Sequence, residues 1–182
     1  VPSNVVLSAV EQQLSGQPDR ENRLRWKLEA CKGEYDYVFV DCPPSVGLLT
    51  FNAIVACEQA LVVMEPSFFS LHGALKVVET IDLVREQLSM SKRVRVLITM
   101  FDRRTRFSKE FLEEARVRFG RELYETVIRS TVRFREAAYW GVAISHFSKS
   151  CGGSRDYKTL AREVMAEEES LAAPRAEVRE SS

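Results

Sequence analysis

Short apolar runs alternate along this chain with longer segments in which apolar residues recur every three to four positions. Five of the runs are rich in Val and Ile and mostly apolar on both faces, which is typical of parallel strands covered on both sides. The predicted strands are DYVFVD (36–41), ALVVME (60–65), VRVLITM (94–100), ETVIR (125–129) and VAISHF (142–147).

The segments between these runs have the spacing of amphipathic helices. Helices are predicted at 19–32, 46–57, 71–88, 108–119 and 155–169. Ser108 is expected to cap the fourth of them, because its hydroxyl can accept a hydrogen bond from a free amide of the first turn. Strands that alternate with helices of this length form βαβ units, so we predict an α/β fold with a mostly parallel sheet and right-handed crossovers.

Polar residues follow several of the predicted strands. Ligands of parallel α/β sheets lie outside the carboxyl ends of the strands. This rule directs attention to Asp41, Glu65, the segment 100–102 and Arg129. Asp41 is the least ordinary of these, because a carboxylate after an apolar strand costs several kcal/mol to desolvate unless it meets a cation, a metal or hydrogen-bond donors.

A rigid corner is predicted directly after Asp41. Pro43 and Pro44 restrict the backbone, and Gly47 lets the chain turn closely before the next helix. A hydrophobic strand that ends in aspartate is also the Walker B arrangement, in which the carboxylate holds Mg²⁺, directly or through water, beside the phosphates of a nucleotide. An aspartate that only caps a helix or a loop is the alternative interpretation.

The composition fits one globular domain. The chain has 182 residues, of which 45% are hydrophobic, and Lys plus Arg and Asp plus Glu both total 26. The four cysteines form no C-x-x-C pair, so reduced thiols are expected. No apolar run approaches the ~20 residues of a membrane span and no signal-peptide pattern begins the chain, so we expect a cytoplasmic protein.

Basic residues outnumber acidic ones between residues 92 and 135. A local basic surface suits sequence-independent binding to phosphates, because clustered cations release counterions whatever the total charge. The alternative is a solvated helical face with ion pairs such as Glu114 with Arg118. Four arginines are predicted to lie in loops without an acidic partner, namely Arg103, Arg104, Arg106 and Arg133.

Four separated segments resemble one protein family in order and spacing. YDYVFVDCPPSVGLLTFNA (35–53) resembles the D-x-PP-x-x-x-x-L-x-x-N-A segment of the ParA/Soj branch of the ParA/MinD class, the deviant Walker ATPases. The other matches are LITMFDRRTRFSKEFLEEARVRFG (97–120), ETVIRSTVRFREAAYWG (125–141) and SRDYKTLAREV (154–164). The resemblance implies a three-layer P-loop NTPase-like fold over 1–168, followed by a polar tail, 169–182, that we expect to be disordered.

The resemblance also implies a nucleotide site for ATP and Mg²⁺. Asp41 would be the catalytic aspartate that supports Mg²⁺ through water, and Pro43 and Pro44 would shape the loop that senses the γ-phosphate. Met100 and Asp102 fall where the family lines the adenine pocket. Asn52 would help to transmit the nucleotide state to a dimer face.

The implied function is ATP-dependent partitioning of a chromosome or plasmid. An ATP-bound homodimer would bind DNA nonspecifically, and a ParB-like partner would stimulate hydrolysis and release the dimer. Arg104 and Arg133 resemble the family's DNA contacts, so we expect a nucleoid-associated protein. A MinD-like membrane regulator would need a basic amphipathic helix at its C-terminus, and the acidic stretch after Ala166 argues against a membrane partner.

Two departures from the family pattern qualify this prediction. No G-x-x-x-x-G-K-[ST] phosphate loop is present, and the paired glycines Gly152 and Gly153 lack its lysine. The family places that loop before the segments found in this chain, so we expect a missing N-terminal portion and poor ATP binding by this chain alone. A truncated, non-catalytic paralogue that dimerises or binds DNA is the alternative.

The second departure concerns the base pocket. Where the family reads I-P-R-N-V-R-L, this chain reads IRSTVRF at 128–134. Arg129 replaces the proline that borders the base, and Thr131 replaces the asparagine. Base contacts from this loop are therefore expected to differ from those of the family.

Overall fold

The computed structural model describes residues 6–43, 47–88 and 91–172. The helices found there are α1 (Val6–Leu14), α2 (Arg23–Glu29), α3 (Leu48–Ala56), α4 (Phe68–Leu88), α5 (Arg106–Phe119), α6 (Val132–Tyr139), α7 (Ile144–Phe147) and α8 (Gly152–Ala172). The strands are β1 (Gln59–Met64) and β2 (Arg93–Ile98), and short 3-10 turns span Arg20–Asn22 and Gly120–Glu122. The chain divides into two compact units, Val1–Ala60 with Ile81–Arg93 and Leu61–Thr80 with Val94–Ser182.

In the first unit, a buried asparagine on α3 ties this helix to the residues before it. Asn52 is 5% exposed. Its side-chain oxygen accepts a hydrogen bond from the Leu24 amide at 3.1 Å, and its side-chain nitrogen donates to the carbonyls of Arg20 and Leu48 at 3.0 and 2.9 Å. Because a buried polar group without partners costs about 1–3 kcal/mol, these bonds hold α3 against α2.

Glu11 of α1 caps the start of α3. Its Oε1 accepts a hydrogen bond from the Leu49 amide at 3.1 Å, which satisfies a first-turn amide that has no partner within the helix. A Cβ atom at Gly47 would lie 2.7 Å from the same oxygen. The helix predicted at 46–57 is confirmed, and the absence of a side chain at Gly47 lets Glu11 approach.

The strand predicted at 36–41 is wrong. Residues 37–43 have no regular secondary structure, and Tyr37, Val38 and Phe39 are exposed, Phe39 by 86%. A strand requires backbone amides and carbonyls that pair with a neighbouring segment, and within the described part of the chain none pairs with this run. Residue preference predicted a strand here, but the hydrogen bonds that would form it are not made.

Strands β1 and β2, most of whose residues belong to the second unit, confirm the strands predicted at 60–65 and 94–100. They are neighbours in one sheet, and the Thr99 amide donates to the Met64 carbonyl at 2.8 Å. Val62 and Met64 are buried, whereas Leu61 and Val63 are 43% and 54% exposed. The expected burial of both faces is therefore wrong for β1, which has one uncovered face.

The predicted strand at 125–129 is an extended segment that pairs with β2. The amides of Tyr124 and Ile128 donate to the carbonyls of Val96 and Ile98, both at 2.9 Å, and the bridges are parallel. Val96, Ile98 and Ile128 are fully buried. This pairing supports the predicted parallel arrangement, although the contact consists of separate bridges rather than a continuous ladder.

The fifth predicted strand, 142–147, is wrong because the chain forms the short helix α7 there. Gly141 turns the chain after α6 with a φ of 62°, a conformation that glycine adopts without strain. The Phe147 amide then donates to the Ala143 carbonyl at 2.9 Å. These local bonds satisfy the backbone, and Val142 is 40% exposed rather than in a sheet.

Helix positions were predicted more accurately than strands. The helices predicted at 19–32, 71–88, 108–119 and 155–169 correspond to α2 with its 3-10 turn, α4, α5 and α8. The predicted cap of α5 is wrong: Thr105 occupies that position and its hydroxyl accepts a hydrogen bond from the Ser108 amide at 3.2 Å. Ser108 is buried inside the first turn.

Candidate functional site

The carboxyl end of β2 is held in an unusual backbone conformation. Met100 has a φ of 54°, a left-handed conformation that costs a non-glycine residue roughly 1–2 kcal/mol. The next residue, Phe101, is 5% exposed, donates its amide hydrogen to the Ile128 carbonyl and accepts from the Ser130 amide, both at 3.0 Å. Such strain persists where the surrounding structure fixes the chain, and it is common at functional sites.

Asp102 and Arg104 form a closed pair beside this strand end. Asp102 Oδ1 accepts from the Arg104 backbone amide and from Nε, both at 3.0 Å, and Oδ2 accepts from Nη2 at 2.9 Å. The side-chain hydrogen bonds from Arg104 hold the pKa of Asp102 at about 2. Asp102 is therefore ionised at any ordinary pH, and its carboxylate is already engaged.

Arg129 lies against the same strand end and is paired with a buried carboxylate on α8. Its Nε and Nη2 donate to Asp156 at 2.7 and 2.8 Å, and its backbone amide donates to Asp156 Oδ2 at 3.0 Å. Burial favours a raised pKa for Asp156, but the hydrogen bonds and charge of Arg129 outweigh it and lower the pKa. The Asp156 hydrogen bond also raises the pKa of Arg129.

The backbone of Arg129 is compatible with the proline that the family resemblance leads us to expect at this position. The segment pairs with Phe101 through the Ile128 carbonyl and the Ser130 amide, so the Arg129 amide takes no part in that ladder. A proline, which has no amide hydrogen, is compatible with such a position. In this chain the Arg129 amide instead has Asp156 as its acceptor.

The paired glycines of α8 allow this packing. A Cβ atom at Gly152 would lie 2.6 Å from Nη1 of Arg129, and one at Gly153 would lie 2.4 Å from the ring of Phe134. These two glycines, which lack the lysine of a phosphate loop, are thus required by close contacts within the second unit.

Asp41 and Pro43 belong to the first unit. Both are exposed and lie outside regular secondary structure, and Pro44 lies outside the described residues. The exposed carboxylate of Asp41 is free of the desolvation cost that the predicted buried strand end would have imposed. The second unit brings Met100, Asp102 and Arg129 together at one edge, and the first unit holds Asp41.

Lys92 does not belong to a basic surface, contrary to prediction. It is 7% exposed, and its Nζ donates to the carbonyl of Val55 at 2.8 Å and to that of Cys57. A cation at the end of α3 interacts favourably with the helix dipole. Burial lowers the pKa of Lys92.

Arg95 is also structural. Its Nε lies 3.3 Å from Glu167 Oε2, and its guanidinium lies 4.1 Å from the centre of the Tyr124 ring. A stacked and paired arginine of this kind holds α8 to the sheet, because the cation–π contact and the ion pair act on the same group. The basic segment between residues 92 and 135 therefore presents fewer cations at the surface than its sequence predicts.

The prediction that four arginines lie in loops without acidic partners is wrong for three of them. Arg104 pairs with Asp102, and Arg106 and Arg133 lie in α5 and α6, where they pair with acids three or four residues further on. The alternative pair of Glu114 with Arg118 is confirmed at 3.2 Å. Arg103 makes no ion pair to another described residue.

Sequence reasoning missed Asp156 and Glu163. Glu163 of α8 accepts hydrogen bonds from the Glu125 and Thr126 amides at 2.8 and 3.1 Å. Each acid lies on a helical face that looks merely polar in the sequence. The one available signal was Arg129, because an arginine in place of a proline introduces a charge and an amide that both need an acceptor.

A family model described as an AAA domain matches residues 1–96. The chain is 38% identical over 171 residues to the chromosome partitioning protein ParA of Caulobacter vibrioides and covers 64% of that protein. It is 36% identical over 167 residues to the sporulation initiation inhibitor protein Soj of Bacillus subtilis and covers 66% of it. These matches span 92% and 91% of this chain, which thus extends over less than two thirds of either relative.

The fold is shared with a solved nucleotide-bound structure. Cobyrinic acid a,c-diamide synthase from Mycobacterium smegmatis, solved with bound ADP and magnesium, superposes with a TM-score of 0.75 at 24% identity, covering 93% of this chain and 62% of that one. The likeness supports the predicted P-loop NTPase-like α/β class. Among the described residues, no helix combines the length and apolar character needed to cross a membrane.

Proposed function

Because the chain belongs to the AAA-domain family and is a relative of the ParA and Soj partitioning ATPases, we propose that it acts in ATP-dependent partitioning of a chromosome or plasmid. Residues 1–168 would form the nucleotide-binding domain and 169–182 a polar tail. The whole activity would require the segments that the relatives possess and this chain does not span.

One observation carries the nucleotide-binding part of this proposal. Met100, Asp102 and Arg129 lie together at the carboxyl end of β2, the edge at which parallel α/β sheets bind ligands. Met100 is 44% exposed and could cover the face of an adenine base. The polar groups beside it would orient the base, and Asp102 would do so both while paired with Arg104 and when Arg104 turns to a DNA phosphate.

Asp41 is proposed to hold Mg²⁺ through water. Magnesium is usually bound through one or two carboxylates together with waters and substrate phosphates, so a single exposed carboxylate fits this role. When bound, the ion would neutralise charge on the phosphates during attack by water. Pro43 and Pro44 would limit the movement of the carboxylate relative to the γ-phosphate, because each proline fixes its own φ.

Arg104 and Arg133 are proposed to contact DNA phosphates. Their side chains are 90% and 56% exposed although each is paired with an acid. Water screens exposed ion pairs and weakens them, so a phosphate can replace the carboxylate. A ParB-like partner that stimulates hydrolysis, and an ATP-dependent homodimer, complete the proposed cycle.

Hydrolysis of Mg²⁺-ATP by the natural full-length protein that contains this sequence tests the proposal. We expect turnover that rises when DNA and the partner are added together. Asp41→Asn should lower kcat by about 100-fold or more, because a neutral amide holds the metal ion poorly. Asp36→Asn, which changes a nearby acid in the same segment, is the matched control. A full-length protein that fails to bind Mg²⁺-ATP would contradict the enzyme proposal and favour the non-catalytic module.

A further inference from the structure

We propose that Asp156 is a positioning residue that acts through Arg129. It would hold the carboxyl end of β2, where Met100 and Asp102 form the proposed nucleotide site. This inference rests on the nucleotide-binding function proposed above. It adds a residue on α8 that does not itself contact the nucleotide and yet fixes the position of Arg129, one of the proposed nucleotide-site residues.

Asp156 and Arg129 hold each other in a fixed geometry. Asp156 is 6% exposed and accepts three hydrogen bonds from Arg129, two from the guanidinium and one from the backbone amide. A bidentate contact fixes the orientation of the guanidinium plane, and the amide bond fixes the backbone at the same residue. A buried carboxylate that lost this partner would be left uncompensated, so Arg129 has little freedom to leave.

The first turn of α8 is shaped to receive the pair. A Cβ atom at Gly152 would lie 2.6 Å from both Cδ and Nη1 of Arg129. The arginine therefore lies directly over the helix start, four residues before Asp156, and a larger residue at 152 would displace it. The position of the Arg129 side chain is thus set by the start of α8.

The position of Arg129 is transmitted to the strand end. Phe101 is hydrogen-bonded to the residues on either side of Arg129, through the Ile128 carbonyl and the Ser130 amide. Met100, which precedes Phe101, is held in its left-handed conformation at this point. Loss of the acid on α8 should therefore loosen residues 100–102, and should weaken ground-state binding of the nucleotide more than the chemical step.

The test compares Asp156→Asn with wild type in the natural full-length protein that contains this sequence. We expect the dissociation constant and KM for Mg²⁺-ATP to rise about tenfold while kcat changes less than about twofold. Amide hydrogen exchange at Phe101 and Ser130 should accelerate in the same variant. Asp82→Asn, which breaks the exposed pair of Asp82 with Arg85 on α4, is the matched control and should change neither quantity.

A double variant separates positioning from direct contact and guards against misfolding of the single variant. Arg129→Pro with Asp156→Ala removes both charges and the amide that needs an acceptor, while proline keeps the backbone restricted and spares the ladder with Phe101. We expect amide hydrogen exchange at Phe101 and Ser130 to return to within about threefold of the wild-type rate, because the backbone is again fixed, while nucleotide affinity stays lowered because the guanidinium of Arg129 is gone.

Two results would overturn the inference. One is an Asp156→Asn protein with unchanged affinity, whether or not exchange at Phe101 and Ser130 accelerates. The other is a double variant in which exchange at Phe101 and Ser130 stays as fast as in Asp156→Asn, since the strand end would then not be held through the backbone of Arg129. A wild-type protein that binds no nucleotide would instead refute the proposed function, which keeps the two failures distinct.

Discussion

At the scale of single residues, the closed pair of Asp102 and Arg104 makes a measurable prediction. The pKa of Asp102 is lowered from 3.8 to about 2, chiefly by hydrogen bonds from the Arg104 side chain. A lowered carboxyl pKa means that the folded state gains stability above pH 3.8 and loses it as the pH falls through 2. Carboxyl NMR titration should place the Asp102 midpoint near 2, and Arg104→Gln should return it towards 3.8. A midpoint near 3.8 in wild type would show that the pair is open in solution.

The residues of the candidate site also differ in how well the sequence predicts them. The positions of Met100, Asp102 and Arg129 at one edge followed from the rule for parallel sheets, because that rule depends only on where strands end. The ion pairs that Arg104 and Arg129 form with acidic residues could not be predicted from the sequence. Ion pairs depend on rotamers and on the distance between elements, neither of which leaves a periodic trace in the sequence.

At the scale of elements, α8 takes over hydrogen bonds that a neighbouring strand would otherwise provide. Glu163 accepts from the amides of Glu125 and Thr126, which interrupts the predicted strand at 125–129. Glu163→Gln replaces one acceptor with a donor, so one amide loses its partner at a cost of about 1–3 kcal/mol. Urea unfolding should show this loss, whereas Glu169→Gln, on the exposed part of the same helix, should be neutral within about 0.5 kcal/mol.

Helices were predictable because their hydrogen bonds are local. The spacing of apolar residues located α3, α4, α5 and α8 within a few residues of their observed bounds. Strands depend on a neighbour that may be far away in sequence. The runs at 36–41 and 142–147 have suitable residues, but the first lacks a partner among the described segments and the second satisfies its backbone locally as α7.

At the scale of the whole molecule, burial and ion pairs engage several cations of the basic segment 92–135. Lys92 and Arg95 are engaged inside the protein, and Arg118 is paired along its own helix. If Arg104 and Arg133 are the phosphate contacts, each chain neutralises about two phosphates, which predicts a slope of log K against log salt concentration near −2 per chain.

The predicted number of phosphate contacts can be tested by salt titrations of DNA binding. These are measured by fluorescence anisotropy on the natural full-length protein with Mg²⁺-ATP. Arg104→Gln and Arg133→Gln should each weaken binding and reduce the slope by about one, because each removes one released counterion. Arg118→Gln has the same change of charge on an exposed helix and should leave the slope unchanged. An equal effect of all three substitutions would mean that net charge drives binding, and the two proposed contacts would have no special role.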